Sequence, residues 1–256
     1  MTDRIAAWLD ALNRRHLADL TSAEVARALR ALSSCYVERR ARLARGGALD
    51  SAGKRAAFAL FYAPVHFLVC REVLGALAGS AEGVRAVLDI GCGTGCAGAA
   101  WALHGGTATI RGFDRNPWAV AEANWTYRQL GLDGRAIQRE IHRAALLGRP
   151  GTAAIVAFAA NELDHGGRAT LLAQLMTIHG SGAAVLVIEP IARSTSPWWR
   201  DWQAVVTSAG GRADEWRFPA VLPARQQALA RAAGLVPREL TARSLYLAGA
   251  SLPGGI

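Results

Sequence analysis

Between Val87 and Gly98 the chain reads VLDIGCGTGCAG. An apolar run stops at Asp89-Ile90, and glycines follow at 91, 93, 95 and 98. Glycine enters backbone conformations closed to other residues and lets a ligand come close to the main chain. The helix predicted to follow begins with N–H groups that have no intrahelical partner. Strand, glycine turn and helix start, in that order, put a nucleotide-like ligand at the carboxyl end of the first strand of an open α/β sheet.

The rest of the chain fits that sheet. Apolar runs at 84–90, 107–113, 153–160 and 182–189 read as strands, the last two continuous enough to be buried on both faces. A fainter strand is expected within 135–141 and a final one at 242–249. Helical stretches at 96–104, 117–130 and 167–179 alternate with the strands, which implies parallel pairing through right-handed crossovers. A Trp-rich segment fills the chain from Glu189 to Pro223, and a helix is expected at 224–234. Residues 1–80 read instead as a helical region. Ile5, Leu9 and Leu12 share one face, and Val25, Leu29, Leu32 and Tyr36 continue an apolar stripe behind a capping box made by Thr21 and Glu24. A loop is expected over 37–55, and Pro64 is expected to start or kink a helix. The division predicted is an N-terminal helical region, 1–80, that packs over the cofactor cleft or the sheet edge, and an α/β domain, 81–256.

Which cofactor the turn holds depends on the acids around it. Gly93, Gly95 and Gly98 satisfy GxGxxG, and Asp114 ends the second strand, where a carboxylate grips ribose hydroxyls. NAD binders and S-adenosylmethionine binders share both features. Asp89 separates them: a carboxylate at the strand end repels a pyrophosphate but favours the sulfonium and ammonium of S-adenosylmethionine. VLDIGCGTG is similar to the first motif of class I methyltransferases, and FDRNPWAVAEAN at 113–124 resembles their second. The resemblance implies a Rossmann-like fold with a mostly parallel seven-stranded central sheet flanked by helices. It also implies that Gly91, Gly93 and Gly95 line the methionine and ribose portions, that Asp89 meets the methionine end, that Asp114 binds the ribose, and that Arg115 and Asn116 sit beside the adenine.

In that fold the acceptor meets the methyl group near the end of the fourth strand, here AFAANELDHGG at 157–167. Asn161 can orient an acceptor by hydrogen bonding, and Glu162 or His165 can take its proton. Asp and Glu also favour the first turn of a helix, so Glu162, Asp164 and His165 can equally mark a helix start. The Asn/Asp/Ser-Pro-Pro-aromatic motif of enzymes that methylate exocyclic amines is missing here. Trp198 and Trp202 fall one helical turn apart, which points to packing against the sheet for most of these rings, with one tryptophan free to act as a lid.

The formal net charge is +9 and the pI about 10.4, which favours polyanionic partners. Lys54 is the sole lysine among 29 basic residues, the mark of an arginine-writing genome, so composition alone accounts for much of the charge. FYAPVHFLVCREVL, Asn161-Glu162-Leu163 and Val187-Ile188-Glu189-Pro190 resemble the methyltransferase-like family associated with small ribosomal subunit assembly. That resemblance implies ribosomal RNA or a ribosomal particle as partner. The cysteine cluster of that family is absent, since no cysteine follows Cys96. A small-molecule acceptor, a catalytically silent assembly factor and an NAD-dependent oxidoreductase are the other readings. The four cysteines, Cys35, Cys70, Cys92 and Cys96, lack a second metal-ligating pair. No metal is expected, nor a membrane span or secretory leader, and the predicted location is the cytoplasm.

Overall fold

The computed structural model describes residues 3–38, 49–106, 108–141, 146–192 and 196–250. The chain forms two compact units, Met1–Phe67 with Phe218–Leu240, and Leu68–Arg217 with Thr241–Ile256. This differs from a division at residue 80, because residues far apart in sequence are joined inside the first unit. Arg30 donates to the carbonyls of Ala232 and Ala233, and Gln226 Nε2 donates to the Leu60 carbonyl at 3.0 Å.

The first unit begins with helices α1 (Asp3–His16) and α2 (Ser22–Glu38). Ile5, Leu9 and Leu12 are buried along one face of α1, as the spacing predicts. The capping box at the head of α2 also forms: Thr21 N–H donates to Glu24 Oε2 at 2.8 Å, and Glu24 N–H donates to Thr21 Oγ1 at 3.3 Å. Most of the loop expected over 37–55 falls outside the described residues, as do His142 and the side chains of Cys35 and Tyr36. A helix resumes at Ala52, capped by Ser51.

That helix runs as α3 (Ala52–Ala57), a π turn (Phe58–Tyr62) and α4 (Ala63–Ala76). Pro64 explains the interruption. It lacks an N–H and its ring crowds the carbonyl four residues back, which is that of Leu60. The wider π turn lets Ala63 N–H donate to Phe58 and leaves the Leu60 carbonyl to Gln226. Proline thus widens the helix without ending it. From Ala52 to Ala76 the helix is long and apolar enough to cross a membrane by length and composition, and 72% of its apolar window is buried within the protein.

The second unit carries a seven-stranded sheet. Its strands are β1 (Ala86–Ile90), β2 (Thr109–Asp114), β3 (Gly134–Gln138), β4 (Thr152–Ala157), β5 (Ala184–Glu189), β6 (Arg212–Pro219) and β7 (Glu239–Leu247), in the order β3-β2-β1-β4-β5-β7-β6. The pairs β3-β2, β2-β1, β1-β4 and β4-β5 are parallel, and β7 runs antiparallel to β5. Every residue of β5 is buried, as a continuous apolar run requires of a central strand. Between the strands lie α5 (Cys96–Gly105), α6 (Pro117–Gln129), α7 (His165–Gly180) and α8 (Trp199–Ser208), while α9 (Ala224–Ala232), which follows β6 in sequence, belongs to the first unit. The sequence hides β6, whose residues alternate between exposed and partly covered and form no apolar run. The outer edge of β3 is closed by a side chain: Asn124 exchanges two hydrogen bonds, each 2.9 Å, with the backbone of Ala136.

Strand order reverses on either side of β1, where the chain crosses from β3 back to β4. In open α/β sheets ligands bind at such a switch point, beyond the carboxyl ends of the strands. The glycine turn sits there.

Candidate functional site

The turn from Gly91 to Gly95 is held by its neighbours. Gly91 and Cys92 both donate their N–H to the Phe113 carbonyl at the end of β2, at 2.8 and 3.0 Å. Gly91, Gly93 and Gly95 all have positive φ, at 72°, 51° and 81°. Each glycine answers a different demand. A Cβ at Gly91 would meet the Ala159 methyl at 2.5 Å, and one at Gly95 would meet the Tyr127 ring at 2.7 Å. Gly93 faces open space, so its conformation alone requires glycine.

Asp114 ties the turn to the second strand. Its Oδ2 accepts the Gly93 N–H at 2.9 Å and its Oδ1 accepts the Asn116 N–H at 2.8 Å. A carboxylate has about four acceptor positions, so each oxygen keeps capacity for a further donor. Burial raises the Asp114 carboxyl against the lowering effect of these N–H groups and of Arg115.

Gly91, Asp114, Arg115 and Glu162 line a single small cleft, about 40 Å³ and open to solvent, together with Glu140, Ile141, Ala159 and Leu163. Four residues expected at the site therefore converge. Glu140 and Ile141 were missed because they follow β3, the faintest strand in the sequence, whose end could not be placed. Ala159 and Leu163 carry no polar atom in their side chains and gave no signal. Glu162 keeps 37% of its side chain accessible and lies 3.7 Å from the Arg115 guanidinium. Burial of its surroundings raises the Glu162 carboxyl to about 7, with Arg115 opposing and Asp114 adding to the rise.

Three expected site residues are placed otherwise. Asp89 is fully buried beneath the turn, and its Oδ2 accepts the Gly98 N–H at 2.8 Å. It acts on the turn from below and does not line the cleft, because its position in β1 turns it toward α5. Asn116 has its side-chain oxygen committed to capping α6, accepting from Trp118 and Ala119 at 3.0 and 3.2 Å. Asn161 is also committed. It donates through Nδ2 to Glu189, and its Oδ1 accepts from Ser196 Oγ at 2.7 Å and Trp198 Nε1 at 3.1 Å.

The end of β4 is locally strained. Phe158 has φ 58°, the one non-glycine residue with positive φ among the described residues. A bulky side chain in that region costs about 1–3 kcal/mol and recurs at functional sites. A turn of 3₁₀ helix at Ala160–Glu162 follows, then Asp164, which caps α7 by accepting the Gly167 N–H at 2.7 Å. The helix-start reading therefore holds for Asp164, while Glu162 faces the cleft. The tryptophans pack: Trp198, Trp199 and Trp202 are 9%, 5% and 3% exposed. Arg243 stacks over Trp199 at 4.2 Å and Arg168 over Trp198 at 5.8 Å.

Sheet order, an antiparallel β7, the glycine turn after β1 and the acid ending β2 define the fold of class I methyltransferases. Residues 87–180 match the family model described as "Methyltransferase domain". No curated protein matches the sequence. In fold the chain is similar to the mitomycin 7-O-methyltransferase MmcR, at 15% identity over 98% of this chain and 74% of that one, with a TM-score of 0.53. It is also similar to an O-methyltransferase family protein from Burkholderia thailandensis, at 14% identity over 79% and 61%, TM-score 0.51. A third similar structure is the plantazolicin methyltransferase BpumL in complex with S-adenosylhomocysteine and a substrate analogue, at 12% identity over 89% and 97%, TM-score 0.50. The chain has the fold of class I, S-adenosylmethionine-dependent methyltransferases, and its residues 87–180 are similar to a methyltransferase domain.

The cleft suits that cofactor. Asp114, Glu140 and Glu162 give it an acidic lining with Arg115 as the one cation among the lining residues. Acids attract a sulfonium and oppose a pyrophosphate. At Gly91 the missing Cβ lets Ala159 and Ile141 pack directly on the glycine turn at the cleft wall. Asp114 has acceptor capacity for ribose hydroxyls, and Ile141 and Leu163 offer apolar surface for a base.

Proposed function

We propose that this chain transfers a methyl group from S-adenosylmethionine to a hydroxyl or amine of a small molecule, with Glu162 as general base. The supporting observation is the placement of Glu162: its side chain opens onto the cleft it shares with Gly91 and Asp114, 3.7 Å from the Arg115 guanidinium, and burial pushes its carboxyl up to about 7. A base works best when its pKa lies near the working pH.

Bound in the cleft, S-adenosylmethionine supplies an electrophilic methyl group. Asp114 would accept hydrogen bonds from the ribose hydroxyls. Arg115 and the helix start that Asn116 caps would lie beside the adenine. Ala159 and Leu163 give the cleft apolar wall beside Glu162, and alignment of the acceptor against that wall would do most of the catalytic work. Glu162 would take the acceptor proton as the methyl group passes from the sulfonium to the acceptor, the sulfur–carbon bond breaking and S-adenosylhomocysteine leaving. Asn161 helps indirectly, by fixing the turn that carries Glu162. A hydroxyl is the acceptor named for the mitomycin enzyme, a protein of similar fold.

An acidic cleft is a poor entrance for a polyanion, which favours a small molecule over ribosomal RNA. The net charge of +9 supports the RNA reading. Cys70, Cys92 and Cys96 are free thiols, in keeping with a reducing cytoplasm. The test has two stages. Calorimetry with S-adenosylhomocysteine and with NAD is expected to show binding of the first alone. Transfer from labelled cofactor is then measured on a panel of phenols, alcohols and amines beside ribosomal RNA and intact small subunits. Labelling of small molecules that disappears in Glu162→Gln supports the reading. Labelling of RNA alone overturns the small-molecule assignment, and no transfer to any acceptor supports the silent assembly factor.

A further inference from the structure

Two short motifs stand apart in the sequence, Asn161-Glu162-Leu163 after the fourth strand and Ile188-Glu189-Pro190 at the end of the fifth. The structure brings them together. Glu189 ends β5 and is fully buried. Its Oε1 accepts the Asn161 backbone N–H at 3.2 Å, its Oε2 accepts from Asn161 Nδ2, and the Ala160 N–H also points to it. One carboxyl therefore gathers three N–H groups from a turn of three residues. The third residue of that turn is Glu162.

The other face of Asn161 is closed as well. Ser196 Oγ and Trp198 Nε1 both donate to Asn161 Oδ1, and Arg243 donates to the Ser196 carbonyl at 3.5 Å while stacking on Trp199. Held from two sides, the amide has little freedom. Simple packing does not require this. A buried ionisable group that serves only to fill space is better replaced by an apolar one. What the arrangement does is fix the direction in which the next side chain leaves the backbone.

We propose that Glu189 is a positioning residue for Glu162: it clamps the Ala160–Glu162 turn so that the Glu162 carboxyl projects into the cleft beside Asp114 and Arg115. Glu189 touches neither cleft nor ligand and acts only through the turn. The proposal rests on the general-base reading for its purpose, but the clamp can be measured without an acceptor.

The experiment uses the full chain without ligand. Glu189→Gln keeps the shape and replaces one acceptor oxygen by a donor, which then faces an N–H. Amide hydrogen exchange at Asn161 and Glu162 is expected to accelerate at least tenfold. The Glu162 carboxyl, followed by carbon-detected NMR, is expected to titrate lower, toward its ordinary range, as it swings into water. S-adenosylhomocysteine is expected to bind within about threefold of the wild type, because Asp114 and the glycine turn are untouched. Unchanged exchange together with an unchanged Glu162 titration overturns the clamp, as does a loss of S-adenosylhomocysteine binding equal to that of Asp114→Ala. Should Glu189→Gln fail to fold, Asn161→Ala removes the side-chain links and leaves Glu189 in place. In that folded variant an unmoved Glu162 titration sinks the proposal. Failure of the wild type to bind S-adenosylhomocysteine would instead refute the cofactor reading and leave the clamp measurement standing.

Discussion

Asp89 Oδ2 accepts the Gly98 N–H at 2.8 Å, joining the end of β1 to the first turn of α5 across the back of the glycine turn. The bond has a purpose on the Gly98 side too. A Cβ at Gly98 would stand 2.8 Å from that same carboxyl oxygen, so only glycine lets strand and helix approach this closely. Burial raises the Asp89 carboxyl to about 7, with the Gly98 N–H opposing and Asp114 adding to the rise.

The pH dependence of stability follows from that shift. The folded-state pKa, about 7, lies above the ordinary 3.8. The folded protein therefore holds this proton more tightly than the unfolded chain does. The contribution is fully present below about 3.8 and is lost as pH rises through about 7. Asp89→Asn cannot ionise. Chemical denaturation between pH 4 and 8 is expected to show the wild type losing stability relative to Asp89→Asn as pH rises. Parallel curves would show that the buried carboxyl is not perturbed.

Asp114→Ala is expected to weaken S-adenosylhomocysteine binding by about 1–3 kcal/mol, the cost of losing hydrogen bonds to a charged acceptor. The variant also strands the Gly93 and Asn116 N–H groups, so the turn loses its tie to β2. Calorimetry reads the affinity, and unchanged binding would remove Asp114 from the ribose site.

Gly91→Ala and Gly93→Ala separate space from conformation. Both positions have positive φ, which costs an alanine about 1–2 kcal/mol. At Gly91 the new methyl also lies 2.5 Å from Ala159, on the wall of the cleft. Gly91→Ala is expected to lower both the melting temperature and S-adenosylhomocysteine affinity. Gly93→Ala should show the smaller loss of stability, since nothing lies within 4 Å of its added Cβ. Equal effects from the two would contradict the close approach at Ala159.

Gln226→Leu removes the donor that serves the Leu60 carbonyl in the π turn. A buried carbonyl left unpaired costs about 1–3 kcal/mol. Urea denaturation is expected to show that loss, with S-adenosylhomocysteine affinity unchanged. Replacing Pro64 by alanine as well restores an N–H that can serve Leu60, so the double variant should recover part of the stability.

How much of this the chain declares in advance varies along its length. The glycine turn, the acid after β2 and the apolar runs of β1, β4 and β5 are local patterns, and local patterns survive into the fold. The capping box of α2 was legible for the same reason. Strand β6 was not, because a half-exposed edge strand has no apolar signature. Pro64 announced a break, and the structure shows a widened turn, since its fate depended on Gln226 more than 150 residues later.

The sequence by itself narrowed the ligand to a nucleoside cofactor, because glycine spacing and acid placement act over a few residues of backbone. Tertiary structure alone decided which acids reach the cleft. Asp89 and Asp114 look alike in the sequence, yet strand register buries one beneath the turn and sets the other at the rim. Asn161 reads as a free amide until Glu189, Ser196 and Trp198 close around it. The orientation of a side chain toward cleft or core is fixed by packing between strands and helices distant in the chain, and no spacing along the sequence encodes it.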